Sequence, residues 1–507
     1  MSLAIVYCRA SEGVMAPLVT VEAHISAGMP GLNIVGLPEK AVKESKDRVR
    51  SALLTTCFEF PIRRITVNLA PADLPKGGGR FDLPIALGIL AASQQIPLEI
   101  LEKHEFMGEL ALSGELRPVS GVLPAVLAAQ KENRCLIIPE DNAVEASLVK
   151  SASVLSASHL LEVCAYLKGE QTLKVCSDRS LCSVQVPSWD FDLSDVKGQA
   201  HAKRALEITA AGKHSLLLFG PPGTGKTMLA TRLPTILPEL TETQALEVAA
   251  VASISSYGFK PAQWRQIPFR SPHHTASSVA LVGGGRPPRA GEISLAHQGV
   301  LFLDELPEFN RQVLESLREP LESGVITISR AAFQTIFPAK FQLVAAMNPC
   351  PCGYMGDIYQ NCRCTPQQIQ RYLAKLSGPF MDRIDLHVEM PALSVEVLER
   401  ADSLAVDSAM IRQRVLQARN RQEERQGKYN SELSVSELLR VCQVHSDAHE
   451  LLQKAMNKFN LSSRSYHRIL KVSLTIADLK CSDFISSEEI SETLSYRCFD
   501  KRNRSSF

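Results

Sequence analysis

The chain has 507 residues, 45% hydrophobic and 21% charged, which suits two to four soluble domains with buried cores. A formal net charge of +1 is too small for the whole protein to attract nucleic acid electrostatically, so any contact with nucleic acid must come from local basic patches. No signal peptide or long apolar run is visible and most of the thirteen cysteines are scattered, which predicts a cytoplasmic protein with no membrane partner.

Residues 1–170 alternate strand-like runs, such as LVTVEAHIS and ITVNLA, with helical stretches, one of them over Pro38 to Leu54. This pattern predicts a compact α/β domain. Its segment LPKGGGRFDL places Lys76 and Arg80 beside three glycines, which either contact nucleic-acid phosphates or form a plain turn before a helix. Residues 171–189 are polar and irregular, and we interpret them as a linker.

A second α/β unit is predicted over residues 190–391, and it contains a phosphate-binding loop. The apolar run Leu216 to Phe219 leads into GPPGTGKT and then into a helical stretch. In this pattern the glycine amides converge on phosphate oxygens, the lysine reaches the outer phosphates and the last hydroxyl binds Mg²⁺. The predicted residues for ATP and Mg²⁺ are Gly220, Pro221, Pro222, Gly223, Thr224, Gly225, Lys226 and Thr227.

The segment LVGGGRPPRAGEI carries Arg286 and Arg289 on a Gly-Pro-rich loop. Further on, ITISRAAFQTIFPAKF predicts a β-hairpin with Arg330 near its tip and Phe333 close by. Basic side chains of this kind follow a phosphate backbone and an aromatic ring stacks on a base. Both segments are therefore candidates for DNA binding, and the alternative for each is a solvated surface loop.

Between these two segments, VLFLDELPEF predicts a buried parallel strand from Val300 to Leu303. The strand delivers Asp304 at its carboxyl end, where open α/β sheets bind ligands. Asp304 is placed to hold the Mg²⁺ shell, and Glu305 to orient or deprotonate the attacking water.

A third strand-like run, FQLVAAMN, ends at Asn348, whose amide either polarises the γ-phosphate or starts an Asn-Pro turn. Arg383 precedes another strand, and Arg464 begins an apolar helix within residues 392–507, which have a helical pattern nearly throughout. Each arginine is either a surface charge or a contact to the γ-phosphate, Arg383 to that of a neighbouring subunit.

Four of the cysteines lie within residues 350–364, namely Cys350, Cys352, Cys362 and Cys364. Two Cys-x-Cys pairs are compatible with a tetrahedral Zn²⁺ site, although the one-residue spacing is tighter than the usual two to four. A disulfide is disfavoured in a reducing compartment, and free thiols are the remaining alternative. Zinc bound by four thiolates would be structural, because no coordination position is left open.

In this order, the phosphate loop, VLFLDELPEF, FQLVAAMNPCPCG, MDRIDLHVEMP and RSYHRILKVSLTIADL resemble the magnesium-chelatase-like AAA+ ATPases, and within them the ComM/YifB family. The similarity extends over nearly the whole chain. It implies an AAA+ core with a helical lid formed by residues 392–507, and a homo-hexameric ring. It also implies Asn348 as sensor 1, Arg383 as the arginine finger acting in trans and Arg464 as sensor 2.

The N-terminal domain is similar to the proteolytic domain of Lon, but it lacks that enzyme's chemistry. Arg80 stands where the nucleophilic serine would fall, and Leu123 where the partner lysine would fall. With nucleophile and base both absent, a peptidase function is excluded.

The family resemblance implies an ATP-dependent DNA helicase that promotes branch migration on single-stranded and branched DNA during natural transformation, with recombination proteins as further partners. A chelatase-type subunit that remodels a protein partner is the alternative function. A Lon-like binding module with a regulatory ATPase is a third hypothesis. Stimulation of ATP turnover by DNA, and not by porphyrin or unfolded protein, would separate the three.

Overall fold

The computed structural model describes residues 2–176, 190–285, 288–330, 333–357, 359–394 and 407–497. Most of the predicted linker and Arg286 lie outside these residues, as do the side chains of Arg330 and Phe333. The predicted α/β class is confirmed, since mixed and parallel sheets alternate with helices along the chain.

The N-terminal unit is built on a sheet of mixed direction. Its strands are β1 (Ser2–Arg9), β2 (Leu18–Ser26), β3 (Gly31–Val35), β4 (Arg64–Ala70), β5 (His104–Phe106), β6 (Glu109–Leu110), β7 (Leu116–Arg117), β8 (Cys135–Pro139), β9 (Val154–Ala157) and β10 (Lys174–Val175). Eight of them form one sheet in the order β10-β9-β8-β5-β1-β2-β4-β3, and β6 and β7 pair separately. Strand β2 alternates buried and half-buried residues, as expected for a strand that covers a core on one face.

Five helices accompany this sheet. They are α1 (Lys40–Thr55), α2 (Asp82–Ala92), α3 (Val122–Lys131), α4 (Ala143–Ala146) and α5 (Leu160–Leu167). The helix expected over Pro38 to Leu54 is therefore shifted by one or two residues at its ends. Apart from Asp82, helix α2 is apolar on all sides, and every one of its residues is buried because the helix lies between α1 and the strands β1 and β2.

The second unit contains a sheet of five parallel strands in the order β12-β15-β18-β11-β19. Its strands and the small pairs beside them are β11 (Leu216–Phe219), β12 (Phe269–Arg270), β13 (Gly283–Gly284), β14 (Arg289–Ala290), β15 (Val300–Leu303), β16 (Val325–Arg330), β17 (Phe333–Pro338), β18 (Gln342–Met347) and β19 (Leu386–Glu389). Because all five strands run the same way, the residues after β11, β15 and β18 meet at one edge.

The helices of this unit are α6 (Ala200–Gly212), α7 (Lys226–Ile236), α8 (Glu242–Ile254), α9 (Ser278–Val282), α10 (Glu292–Leu295), α11 (Arg311–Ser316), α12 (Pro320–Ser323), α13 (Pro366–Leu373) and α14 (Gly378–Met381). Helix α8 also belongs to the core of the N-terminal unit. The buried residues that it and its neighbourhood contribute there are Leu240, Ala245, Ala249, Ala250 and Trp264. The amide of Gly121 donates to the carbonyl of Ser253 across the same junction, at 3.0 Å.

The last part of the chain is helical, as its pattern predicts. Its helices are α15 (Ser408–Gln426), α16 (Val435–Val441), α17 (Ser446–Phe459), α18 (Ser463–Leu479) and α19 (Ser487–Ser495). Helices α15 and α18 pack against α6, which attaches this unit to the parallel sheet. A search of the described helices finds none with the length and apolar character needed to cross a bilayer.

Candidate nucleotide-binding site

The glycine loop follows β11, which lies between β18 and β19 in the parallel sheet, and α7 begins at Lys226. Gly223 and Gly225 have φ values of 79° and 85°, in the left-handed region where glycine is favoured. No described atom lies within 4 Å of the position that a Cβ would take on either residue. The loop therefore presents an open backbone surface at a helix N-terminus, as a phosphate requires.

Gly220 is constrained in a different way. A Cβ on this residue would lie 2.1 Å from the carbonyl oxygen of Met390, which follows β19. The amide of Met390 also donates to the Phe219 carbonyl at 2.8 Å. A glycine is required here because two backbones approach closely at the base of the loop.

Lys226 is 9% exposed, and its ammonium is held by the loop itself. It donates to the carbonyl oxygens of Gly220 and Pro221, both at 2.8 Å, and to Asn348 Oδ1 at 3.1 Å. Burial lowers the pKa of Lys226 to about 8, and the charge of Asp304 opposes this shift. An incoming phosphate would supply the negative charge that this buried cation lacks.

Asp304 and Thr227 come together at the ends of β15 and the phosphate loop. The Thr227 hydroxyl donates to Asp304 Oδ2 at 2.6 Å, and the amide of Glu305 donates to Asp304 Oδ1 at 2.9 Å. Both side chains offer hard oxygen ligands of the kind that Mg²⁺ prefers, so the donor set fits that ion.

Glu305 has a φ of 52°, a left-handed conformation that is uncommon for a residue with a side chain. Its carboxylate lies 3.0 Å from His274 Nδ1, and the His274 ring packs edge-on against Phe309. Strained backbone of this type concentrates at functional sites. His274 did not emerge from the sequence, where the only signal is the adjacent pair of histidines in SPHHTASS.

The two predicted arginines, Arg383 and Arg464, both approach the carboxylate of Glu322. Arg383 is buried, pairs with Glu322 at 2.5 Å and donates to the Pro379 carbonyl at 2.7 Å. Arg464, more than half exposed, approaches the same Glu322 carboxylate at 3.7 Å. Arg468, one turn further along α18, donates to the Arg383 carbonyl at 2.6 Å. Glu322 and Arg468 are further residues that the sequence pattern did not single out.

The four clustered cysteines are brought together as well. Their sulfur atoms all lie within 4.8 Å of one another, although the four residues span fifteen positions. The cluster follows Asn348 directly and so borders the nucleotide site.

The candidates for nucleic-acid contact are more dispersed. Arg289 is exposed in β14, and the backbones of Arg330 and Phe333 pair at the end of the predicted hairpin. Arg289 also lines a cavity of about 620 Å³ that lies between the hairpin and the glycine loop of the N-terminal unit.

The positions of Lys76 and Arg80 contradict the expectation that these residues contact nucleic acid. The Lys76 side chain is buried and donates to the Pro71 carbonyl, and burial lowers its pKa. Arg80 is 5% exposed and donates to the Ser120 carbonyl at 2.8 Å. Because both side chains are buried, neither is placed to follow a phosphate backbone. The sequence did not show this, since a local basic pattern does not reveal burial.

Three family matches cover most of the chain. The description "Subunit ChlI of Mg-chelatase" matches residues 21–142, "Magnesium chelatase, subunit ChlI" matches 192–398, and "Magnesium chelatase, subunit ChlI C-terminal" matches 405–497. Because all three describe one protein family and appear in chain order, they assign the parallel sheet, its phosphate loop and the helical unit to a single architecture.

Among individual relatives, the chain is 55% identical to the competence protein ComM of Haemophilus influenzae, over 98% of both chains. It is 51% identical to the uncharacterized protein YifB of Escherichia coli, over 99% of this chain and 98% of that protein. It is 26% identical to the 38 kDa magnesium-chelatase subunit of Rhodobacter capsulatus, over 46% of this chain and 69% of that subunit. The family implies ATP and Mg²⁺ as cofactors, which fits the loop and the oxygen ligands of Thr227 and Asp304. The chain therefore belongs to the ComM/YifB family of magnesium-chelatase-like AAA+ ATPases.

Proposed function

We propose that the chain is an ATP hydrolase that works as a homo-hexameric DNA helicase and promotes branch migration during natural transformation and homologous recombination. Its substrates are single-stranded and branched DNA in the cytoplasm, and recombination proteins act beside it. Support comes from the 55% identity with a competence protein and from the way in which the predicted DNA hairpin is attached to the nucleotide site.

That attachment is the observation that carries the proposal. The hairpin formed by β16 and β17 is inserted between β15, which is followed by Asp304 and Glu305, and β18, which is followed by Asn348. Only residues 339–341 separate β17 from β18. A displacement of Asn348 when the γ-phosphate is lost would therefore be passed along one short strand to the hairpin.

At the site itself the residues divide the work. The amides of the loop and Lys226 hold the phosphates, while Thr227 and Asp304 would hold Mg²⁺, which neutralises phosphate charge when bound. Glu305 orients the attacking water and accepts its proton, with His274 restraining the carboxylate. Asn348, already bonded to Lys226, is placed to sense the γ-phosphate.

Arg383 would complete this site from the next subunit. In the single chain it is paired with Glu322, so ring assembly must exchange that carboxylate for the neighbour's γ-phosphate. Subunits carrying Arg383→Ala or Lys226→Ala should each be inactive alone. Mixed rings should recover ATP hydrolysis, because an intact phosphate loop then meets an intact arginine. Absence of recovery in rings shown to be mixed would exclude the trans role.

The DNA activity is tested by strand displacement from forked and three-stranded substrates, measured beside ATP hydrolysis. Arg330→Ala should reduce displacement about tenfold, since each phosphate contact adds to affinity, while basal hydrolysis changes less than about twofold. Lys454→Ala, an exposed lysine of α17, is the matched control and should leave both activities unchanged. Displacement should also weaken steeply with salt.

The similarity to a magnesium-chelatase subunit supports a second candidate, the remodelling of a protein partner. A wild-type hexamer that hydrolyses ATP but displaces no strand from any branched DNA would contradict the helicase proposal and favour this alternative. Stimulation of hydrolysis by DNA, but not by unfolded protein or porphyrin, would favour the helicase.

A further inference from the structure

The sulfur atoms of Cys350, Cys352 and Cys362 lie at distances that match a metal site. The three separations are 3.4, 3.6 and 3.7 Å. A disulfide would require about 2.05 Å, so these sulfurs are not paired with one another. Four sulfurs placed tetrahedrally about 2.3 Å from a zinc ion lie about 3.8 Å from each other. The observed separations are close to that value.

The backbone supports the same assignment. Cys364 completes the cluster, and its sulfur accepts a hydrogen bond from the Cys352 amide at 3.4 Å. The amides of Tyr354 and Arg363 are also hydrogen-bonded to the Cys352 sulfur. Amide donors of this kind stabilise thiolates and orient them toward a metal.

The loop that carries the cluster packs against the nucleotide site. Gly353 has a φ of 88°, and a Cβ on it would lie 2.9 Å from Pro222 Cδ and 3.9 Å from Asn348 Cγ. Pro222 is part of the phosphate loop, and Asn348 is bonded to Lys226. Helix α13 follows the cluster in the chain, and its Tyr372 is hydrogen-bonded to the Asn348 backbone. The cysteine loop therefore lies against Pro222 of the phosphate loop and against the Asn348 side chain.

We propose that Cys350, Cys352, Cys362 and Cys364 bind one structural Zn²⁺. By holding the cysteine loop closed, this metal keeps Pro222 and Asn348 of the nucleotide site in place. Without it, four thiols offer little to hold a fifteen-residue loop closed, because metal binding supplies the folding free energy of such loops. Loss of zinc would then release Pro222 and Asn348 and weaken ATP binding. The proposal concerns nucleotide binding alone and does not depend on the DNA activity.

The first experiment measures metal and nucleotide on the whole protein. Protein purified without chelator should contain about one zinc per chain, released by a mercurial that blocks thiols and detected with a zinc-sensitive dye. Removing the zinc should weaken binding of a fluorescent ATP analogue about tenfold, and adding zinc after the thiols are unblocked should restore it. Because coupling is reciprocal, ATP should weaken the competition of a chelator for zinc by the same factor.

Two variants separate the metal from its contact with the phosphate loop. Cys350→Ser with Cys352→Ser should lose zinc, whereas Cys481→Ser, an exposed thiol outside the cluster, should retain it. Gly353→Ala keeps all four thiols but forces the loop away from Pro222, so it should retain zinc and still bind ATP more weakly.

The outcomes are distinct. Absence of zinc from the purified wild type would overturn the metal site. Zinc that can be removed and restored with no change in ATP affinity would overturn the support of the nucleotide site. If the double cysteine variant does not fold, the wild-type release experiment and Gly353→Ala still decide between these results.

Discussion

The chain contains two glycine-rich turns that join a strand to a helix beside a lysine, and their surroundings are opposite. In the turn after β11, the space over Gly223 and Gly225 is open. In the turn between β4 and α2, a Cβ on Gly77 would lie 2.4 Å from Glu39 Oε2, and one on Gly79 would lie 2.2 Å from Glu109 Oε2. The space over Gly78 is open, but the carboxylates over the glycines on either side of it would repel a phosphate.

The basic side chains of the two turns also differ in whether a phosphate can reach them. Lys226 is buried but bonded to two loop carbonyls and Asn348, at an opening where a phosphate can replace those partners. Lys76 is bonded to the Pro71 carbonyl under the turn, and Arg80 to the Ser120 carbonyl. Glycines and a lysine are thus not sufficient for a phosphate site. The free face of the backbone and the sign of the nearest charge decide what the turn can bind.

The largest expected effect separates the two acidic residues beside these turns. Glu305→Gln should still bind ATP but lower turnover about a thousandfold, since an amide cannot accept the proton of the attacking water. Glu109→Gln should leave turnover unchanged. Steady-state hydrolysis with nucleotide affinity measured in parallel provides the test. Normal turnover by Glu305→Gln would mean that another group positions the water.

Next in size is the difference between the two lysines. Lys226→Ala should weaken ATP binding roughly a hundredfold, because the loss of charge-assisted contacts to the outer phosphates costs about 3 kcal/mol. Lys76→Ala should bind ATP normally and instead lower the melting temperature, because the packing of the buried Lys76 side chain and its bond to the Pro71 carbonyl are lost. Titration with a fluorescent nucleotide and thermal unfolding distinguish the two. Weakened ATP binding in Lys76→Ala would contradict the assignment of the two turns.

A smaller effect is expected from the same substitution at the first glycine of each turn. Gly220→Ala must displace the Met390 backbone and should cost about 1–3 kcal/mol of stability. Gly77→Ala meets only the movable end of Glu39 and should be tolerated. Thermal unfolding of the two variants checks this. Equal stability of Gly220→Ala and wild type would show that the loop base is not tightly packed.

The smallest effect concerns pH. With a pKa of about 8 in the nucleotide-free protein, Lys226 loses its charge as pH rises, so ATP affinity should fall about tenfold between pH 7 and 9. Binding above pH 8 should take up a proton, measurable by calorimetry in buffers of different ionisation enthalpy. In the unfolded chain this lysine keeps its proton to higher pH. The stability cost of burying it is therefore complete below pH 8 and declines between pH 8 and 10.5. An ATP affinity that does not change between pH 7 and 9 would contradict the lowered pKa of Lys226.

The sequence predicted those parts of the site that follow from local pattern. Asp304 and Asn348 each follow a strand in the unit that holds the phosphate loop, so they must meet at one edge if the sheet is parallel. The five strands are parallel. Their catalytic roles stay predictions. The α/β class was predictable for the same reason, because the hydrophobic periodicity of a strand or a helix can be recognised within a short segment of sequence.

His274 and Glu322 were not predictable in this way. Each approaches its partner from a distant part of the chain, and neither lies in a recognisable motif. Lys76 shows the converse difficulty, because a basic residue in a polar glycine turn resembles an exposed contact until the packing is known. Burial and long-range pairing are properties of the fold as a whole.

The junction at α8 bears on how the molecule can be divided. Leu240, Ala245, Ala249, Ala250 and Trp264 complete the core of the N-terminal unit, although they lie more than fifty residues beyond its predicted end at residue 170. A fragment cut there would expose the apolar surface that α8 covers and would be prone to aggregate. The two units are therefore not interchangeable modules, and recombination between distant relatives would have to exchange α8 together with the domain that it covers.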